Sequence, residues 1–277
     1  MGTARPAAVA GSFYPADRHA LRLVVNEYLD DARQPSEVRD SWPKALIVPH
    51  AGYMYSGPVA ASAYVQLEAA RKLIARVVII GPSHHVAFDG LALPSSTAFE
   101  TPLGSVPIDE TARREALHFP FVEVLDDAHH WEHSLEVQLP FLQEVLGSFS
   151  VLPIAVGRST SGQVAELLSS VWDGDETLIV ISSDLSHYHD YDTAKRMDLA
   201  TARAIESLEP QRLASEQACG QIGIRGLLEA ARLHGIRPRR LDLRSSGDTA
   251  GSRDEVVGYG AWELSPSGRR PSGRQSP

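Results

Sequence analysis

The feature that most constrains the fold is a set of short apolar runs rich in Val and Ile, set apart by longer stretches with helical spacing. The runs are 45–48, 77–80, 151–156, 178–181 and 241–243. Each is the length of a strand, and all but Leu241-Asp242-Leu243 lack the alternation expected of a half-exposed one. Continuous apolar runs of this length fit strands buried on both faces, and their alternation with helical segments fits βαβ units around a largely parallel sheet. Helices are expected over 17–32, 58–72, 134–146, 161–172, 192–208 and 222–234. In 161–172, Ser161 reads as the N-cap, and Val164, Leu167, Leu168 and Val171 form one apolar stripe. Leu91–Leu93 and Ser105–Ile108 flank a Thr-Pro-Leu-Gly turn and read as a hairpin, and Val256–Leu264 reads as the last strand.

With 277 residues, 43% of them hydrophobic, the chain can build one substantial core. No internal repeat or interior linker is visible. The expectation is a single α/β domain over residues 1–264, with a mostly parallel central sheet flanked by helices. A Ser/Pro/Gly/Arg tail over 265–277 has the composition of a disordered segment.

Charge and cysteine content exclude several classes. Lys and Arg number 26 against 35 Asp and Glu, a net charge of -9, and three of the 26 fall in the tail, leaving 23 in the body. Nucleic-acid binding rests on neutralising phosphates with cations, so a nucleic-acid partner is not expected. Cys219 is the only cysteine, which rules out an intrachain disulfide and a multi-thiolate zinc site and points to the cytoplasm. No targeting signal is visible, and no stretch approaches the roughly 18–20 apolar residues that span a bilayer, so no membrane partner is expected. Phosphate-loop, dinucleotide and Gly-x-Ser-x-Gly fingerprints do not occur.

Four of the expected strands run directly into polar segments: Pro49-His50, Gly81-Pro82-Ser83-His84-His85, Ser182-Ser183-Asp184 with His187 three residues on, and Ser245-Ser246-Gly247-Asp248. Carboxyl ends of parallel strands share one edge, where ligands bind in the crevice. Two imidazoles and one carboxylate on one face are the set that holds Fe(II) with positions left open. His50, His84 and Asp248 supply it. His85 follows His84 directly, so in an extended segment only one of the two side chains faces the site.

The remaining polar residues admit more than one role. Asp184 beside His187 could fix and activate a general base, or be a helix N-cap next to a surface histidine. In Asp126-Asp127-Ala128-His129-His130-Trp131-Glu132-His133, the expectation for His129 and His130 is a solvated loop. His133, just ahead of a helix, could reach the rim as an acid/base group, and Glu136 faces a similar choice. Cys219 reads as a small buried residue, because no His or basic residue is its neighbour in sequence.

At these same positions the chain resembles the Memo family, also called AmmeMemoRadiSam system protein B. The matching stretches are Ala-Gly-Ser-Phe-Tyr-Pro at 10–15, Pro-His-Ala-Gly-Tyr-Met-Tyr-Ser-Gly at 49–57 and Gly-Pro-Ser-His-His-Val at 81–86. They continue with Glu-His-Ser-Leu-Glu-Val-Gln-Leu-Pro at 132–140, Ser-Ser-Asp-Leu-Ser-His at 182–187 and Ser-Ser-Gly-Asp at 245–248. The resemblance implies a fold like the LigB-type class III extradiol dioxygenases, which use non-haem Fe(II). It places the metal positions on His50, His84 and Asp248, with Asp184 and His187 as further pocket residues. Eukaryotic members carry a cysteine where Asp248 stands, so their thiolate-dependent copper chemistry is not implied here, although copper or another divalent metal stays open beside Fe(II). The resemblance also implies a functional link to a radical-SAM protein and an AMMECR1-like protein.

Three functions are therefore expected in order. The first is an iron-dependent oxidoreductase acting on a small molecule, in which Asp184 orients His187 and His187 or His133 moves protons. The second is a non-enzymatic module that captures a peptide or small anion in the same crevice, as eukaryotic members of the family are described to do. The third is a metal-dependent hydrolase.

Overall fold

The computed structural model describes residues 3–33, 42–172 and 174–266. Its strands are β1 (Ala4–Arg5), β2 (Ala45–Val48), β3 (Arg76–Pro82), β4 (Leu91–Leu93), β5 (Ala98–Thr101), β6 (Gly104–Pro107), β7 (Val122–Val124), β8 (Ser150–Val156), β9 (Thr177–Ser182), β10 (His187–His189), β11 (Ile236–Ser245) and β12 (Val256–Pro266). Its helices are α1 (Arg18–Ala32), α2 (Tyr53–Tyr64), α3 (Glu110–Ala116), α4 (Asp127–His130), α5 (Leu139–Leu146), α6 (Ser161–Ser170), α7 (Tyr191–Glu206) and α8 (Gln221–His234).

Four parallel strands in the order β2-β9-β3-β8 form the centre of a nine-stranded sheet. Their residues divide between two cores by parity. Leu46, Val48, Val77, Ile79, Leu178 and Val180 join the core under α1, α2 and α5. Ala45, Ile47, Val78, Ile80, Ile179 and Ile181 join the core under α6 and α8. This is the period-2 alternation of a strand covered on both faces, and it explains why these runs show no polar alternation. Burying one such side chain is worth about 1.5–3 kcal/mol.

Outside this centre the pairing is antiparallel, except that β7 at one edge pairs parallel with β4. β4 runs against β8, β12 against β2, and β10 and β11 both against β12. The 241–243 run is therefore part of a ten-residue strand paired antiparallel with β12, not a member of the parallel core. Because β12 reverses direction between β2 and β11, the carboxyl end of β11 still arrives at the same edge as that of β2.

Other boundaries shift for identifiable reasons. The Thr-Pro-Leu-Gly turn does close a hairpin, but between β5 and β6, while β4 belongs to the large sheet. Helix α2 begins at Tyr53, ahead of Pro58, because the Tyr53 N–H donates to the Phe13 carbonyl (2.8 Å), a tertiary cap that local sequence does not encode. α6 is capped by Thr160, with Gln163 completing a capping box, rather than by Ser161. The last strand runs on to Pro266. The rest of the expected tail, 267–277, lies outside the described residues. Among the described residues, no helix is long and apolar enough to cross a membrane.

Candidate metal centre

The strand ends meet as the topology requires. His50 follows β2, His84 follows β3, and Asp184 follows β9 between them. A third imidazole reaches the same place from a different direction, because the segment after α4 lies against the end of β3. Gly81 permits this approach: a Cβ there would stand 2.7 Å from Ser134 Oγ. Ser134 Oγ in turn donates to the Pro82 carbonyl (2.9 Å). His133 is thereby set beside His84, the two rings stacked with centroids 4.7 Å apart, and His50 stands edge-on to both. One ring nitrogen from each of His50, His84 and His133 lies within 4.8 Å of the others.

Hydrogen bonds determine which ring nitrogens carry the lone pair. The Ser182 hydroxyl donates to the Ser134 carbonyl (2.6 Å) and accepts from Gln138 Nε2 (2.8 Å). Its contact with His50 Nδ1 (2.8 Å) then requires His50 to donate, which leaves the lone pair on His50 Nε2, 3.2 Å from Cys219 Sγ. Glu132, 1% exposed, accepts from His84 Nδ1 (2.9 Å) and His84 N (2.5 Å), and so puts the lone pair of the neutral His84 ring on Nε2. It also accepts from the backbone N–H groups of His133 (2.9 Å) and Ser134 (2.8 Å). A carboxylate or hydroxyl behind each ring is the arrangement that orients a metal-binding imidazole and raises its basicity.

The electrostatics divide the three rings. Burial, with the neighbouring His84, pulls His50 down to about 3. Burial and the charge of His50 pull His133 down to about 4. Burial also opposes protonation of His84, but the hydrogen bond and charge of Glu132 outweigh it and raise His84 above its ordinary value. Glu132 would itself be raised by burial, yet its bonds from His84 and Ser134 and the charge of His84 hold it well below the carboxylate range. Two of the three rings are thus neutral donors at neutral pH.

Several expected roles need correction. Asp248 does not join the cluster. It sits in a short 3-10 turn, where Oδ2 folds back to accept from Ser245 N and Oγ (3.0 Å each) and Oδ1 accepts from Tyr191 (2.6 Å). It lines a separate cavity with Tyr191, Lys195 and Arg244, while the neighbouring Ser246 faces the histidines. Asp248 is thus not among the side chains that converge, and His133, expected as an acid/base group at the rim, stands beside His50 and His84 instead. Asp184 accepts from the backbone N–H of His50 (2.7 Å) and so braces the His50 loop instead of orienting His187. It caps no helix, since α7 starts at Tyr191 with Asp190 as its cap. Burial raises the Asp184 pKa. His187, half-buried in β10, lines the cavity with the cluster.

The rest of the His-rich segment divides similarly. His129 is buried, its Nε2 3.0 Å from the Ala92 carbonyl, and is not in a solvated loop; His130 and His85 are exposed. Glu136 is fully buried and bound to Arg5 (2.5 Å) and Tyr14 (2.5 Å), a structural role. Cys219, expected as a small buried residue, has a histidine neighbour in space that is distant in sequence, His50 Nε2 at 3.2 Å. Burial and the nearby Asp184 push the thiol up to about 12, so it stays a protonated, unreactive group.

Glu132, Ser182 and Gln138 were not legible as functional residues. The one signal for Glu132 is that it opens a stretch in which Leu135, Val137 and Leu139 are all buried, so an acid there must have partners.

The α/β sheet thus brings two imidazoles from strand ends and a third from a neighbouring loop to one place, a group of side chains that could hold a metal ion. The chain belongs to the Memo-like protein family, whose model matches residues 5–263. It is 39% identical to a MEMO1 family protein of Aeropyrum pernix, covering 93% of this chain and 98% of that relative. It is 36% identical to one of Aquifex aeolicus (92% and 97%) and 38% identical to one of Thermotoga maritima (92% and 97%).

Proposed function

We propose that this site is the centre of a metal-dependent, dioxygenase-like oxidoreductase acting on a small planar molecule. The observation that carries the reading is the convergence of His50, His84 and His133 in an open cavity of about 840 Å³ that Phe13, Tyr55 and Tyr259 also line. His50 and His84 would hold the ion through Nε2, with His133 as the third donor. A bound first-row ion, Fe(II) in this reading with copper or another divalent metal as competitor, would supply Lewis-acid and one-electron chemistry. Glu132 and Ser182 keep the rings oriented, Asp184 braces the His50 backbone, and His187 is the wall residue placed to take or give a proton. The single cysteine fits a cytoplasmic setting.

The test is to add Fe(II) to anaerobically purified protein and measure bound metal and O2 uptake with a panel of catechols. About one iron per chain, lost in His50→Ala and in His133→Ala, with oxygen uptake, is expected. No bound metal at micromolar concentrations would overturn the reading and leave a peptide-binding module. Capture of a phosphorylated or other anionic ligand is disfavoured by the lining, which includes Asp184 and Glu255 but no Lys or Arg among the described residues. A second reading, a metal-dependent hydrolase, draws on the third donor being an imidazole, since three histidines form one of the ligand sets of catalytic zinc. Zinc-dependent ester hydrolysis without oxygen uptake would favour it.

A further inference from the structure

Tyr188 is at odds with its surroundings in two ways. Its backbone is left-handed (φ 58°), a region that aromatic residues rarely occupy, and its side chain is 73% exposed, so burial gives no return for that conformation. In a regular strand, adjacent side chains point to opposite faces. Here the pairing of β10 with β12 shifts register between His187 and His189, and the left-handed residue lies at that irregularity. The result is that His187 and Tyr188, consecutive in sequence, both line the histidine cavity. Asn or Gly would hold this backbone with little or no strain, so the fold does not require an aromatic ring there. Tyr55 and Tyr259 line the same cavity as His50, His84 and His133. A lining that joins imidazoles to tyrosine rings fits a flat ligand whose polar end faces the histidines and whose ring meets the tyrosines.

We propose that Tyr188 is a specificity-determining residue, held by its left-handed backbone at the cavity mouth so that its ring stacks on a planar, ring-bearing ligand. The inference rests on the small-molecule reading above and deepens it. Strain kept at an exposed position whose only neighbourhood is a cavity is what a ligand contact explains and a folding role does not.

The test uses Zn(II)-loaded protein, in which no turnover occurs, and 4-nitrocatechol as a coloured planar probe, comparing wild type with Tyr188→Gly, Tyr188→Asn and Tyr188→Phe. Gly and Asn remove the ring while tolerating the backbone, and Phe keeps the ring. The expected result is a melting temperature unchanged or raised in the Gly and Asn variants and unchanged zinc stoichiometry. Affinity for the probe should weaken about three- to tenfold in those two and stay within about twofold in Tyr188→Phe. Equal affinity in all four proteins would overturn the role of Tyr188. So would a fall of several degrees in melting temperature in both Gly and Asn variants, because the ring would then be structural. Wild type that takes up zinc but not the probe would overturn this inference and leave the metal centre standing. Wild type that takes up no zinc would overturn the metal reading, and the same titration on that protein still shows whether the ring is bound through Tyr188.

Discussion

The Glu132 carboxylate grips His84 twice, at the ring through Nδ1 (2.9 Å) and at the backbone through N (2.5 Å). The same group accepts from His133 N and Ser134 N, so one buried acid ties together two of the three imidazoles and the loop between them. Every one of its contacts is a donor. An amide in its place would turn an NH2 group towards one of those donors. Glu132→Gln is therefore expected to weaken metal binding by about 10- to 100-fold with little change in volume. A competition titration with Zn(II) and a chelator reads this directly, and an affinity within twofold of wild type would show that Glu132 does not tune the site.

Metal affinity should depend on pH through one ring. His50 and His133, pulled down to about 3 and 4 by burial, carry no proton at neutral pH. His84 is raised, so below its folded pKa it holds a proton that the metal must displace. Affinity is expected to fall by about tenfold per pH unit below that value, with release of about one proton. Stability of the metal-free protein runs the opposite way. The contribution of protonated His84 is full below the unfolded value of about 6.5 and fades as pH rises through the raised folded value. Calorimetry in buffers of different ionisation enthalpy counts the protons, and release of two or three would contradict the assignment of neutral His50 and His133.

Asp248 provides a test of direction. Its carboxylate is engaged by Tyr191 and Ser245 and faces the second cavity. Asp248→Cys, which would draw a first-coordination-sphere site towards softer metals, should leave metal preference unchanged. Its cost should be local, about 1 kcal/mol from losing the bonds that close the 245–248 turn. A shift towards Cu(I) or Zn(II) in a metal competition would restore Asp248 as a ligand.

The apolar runs at 45–48, 77–80 and 178–181 identified the parallel core because parity and burial on both faces are imposed by backbone geometry. They also placed His50, His84 and Asp184 on one edge, because strand direction decides which end a loop leaves from. Strand direction does not decide where a side chain points. Ser246 and Asp248 lie on the same turn at that edge, yet one faces the histidines and the other faces away, a choice made by Tyr191 from a distant helix. His133 follows no strand at all. It joins the cluster only because Gly81 lets another segment press against β3, a contact between residues more than fifty positions apart.

The far side of the cluster depends on a buried ion pair. Arg5 and Glu136, with side chains 5% and 0% exposed, meet at 2.5 Å, and Glu136 also accepts from Tyr14 (2.5 Å), Ala8 N (2.7 Å) and Val9 N (3.1 Å). This anchors the segment that carries Phe13, whose ring lies 4.6 Å from that of His133. Glu136→Ala leaves a buried guanidinium without its counter-charge and should cost about 3–5 kcal/mol. For a simple pair, replacing both partners with apolar residues often restores stability. Here Arg5→Met combined with Glu136→Ala should recover only part of the loss, because the Ala8 and Val9 N–H groups and the Tyr14 hydroxyl would still lack an acceptor, at about 1–3 kcal/mol for each group that water cannot reach. Denaturant unfolding of the two variants measures the difference. A double variant as stable as wild type would mean that Glu136 serves only to neutralise Arg5, and that the Phe13 segment is held in place by its apolar contacts alone.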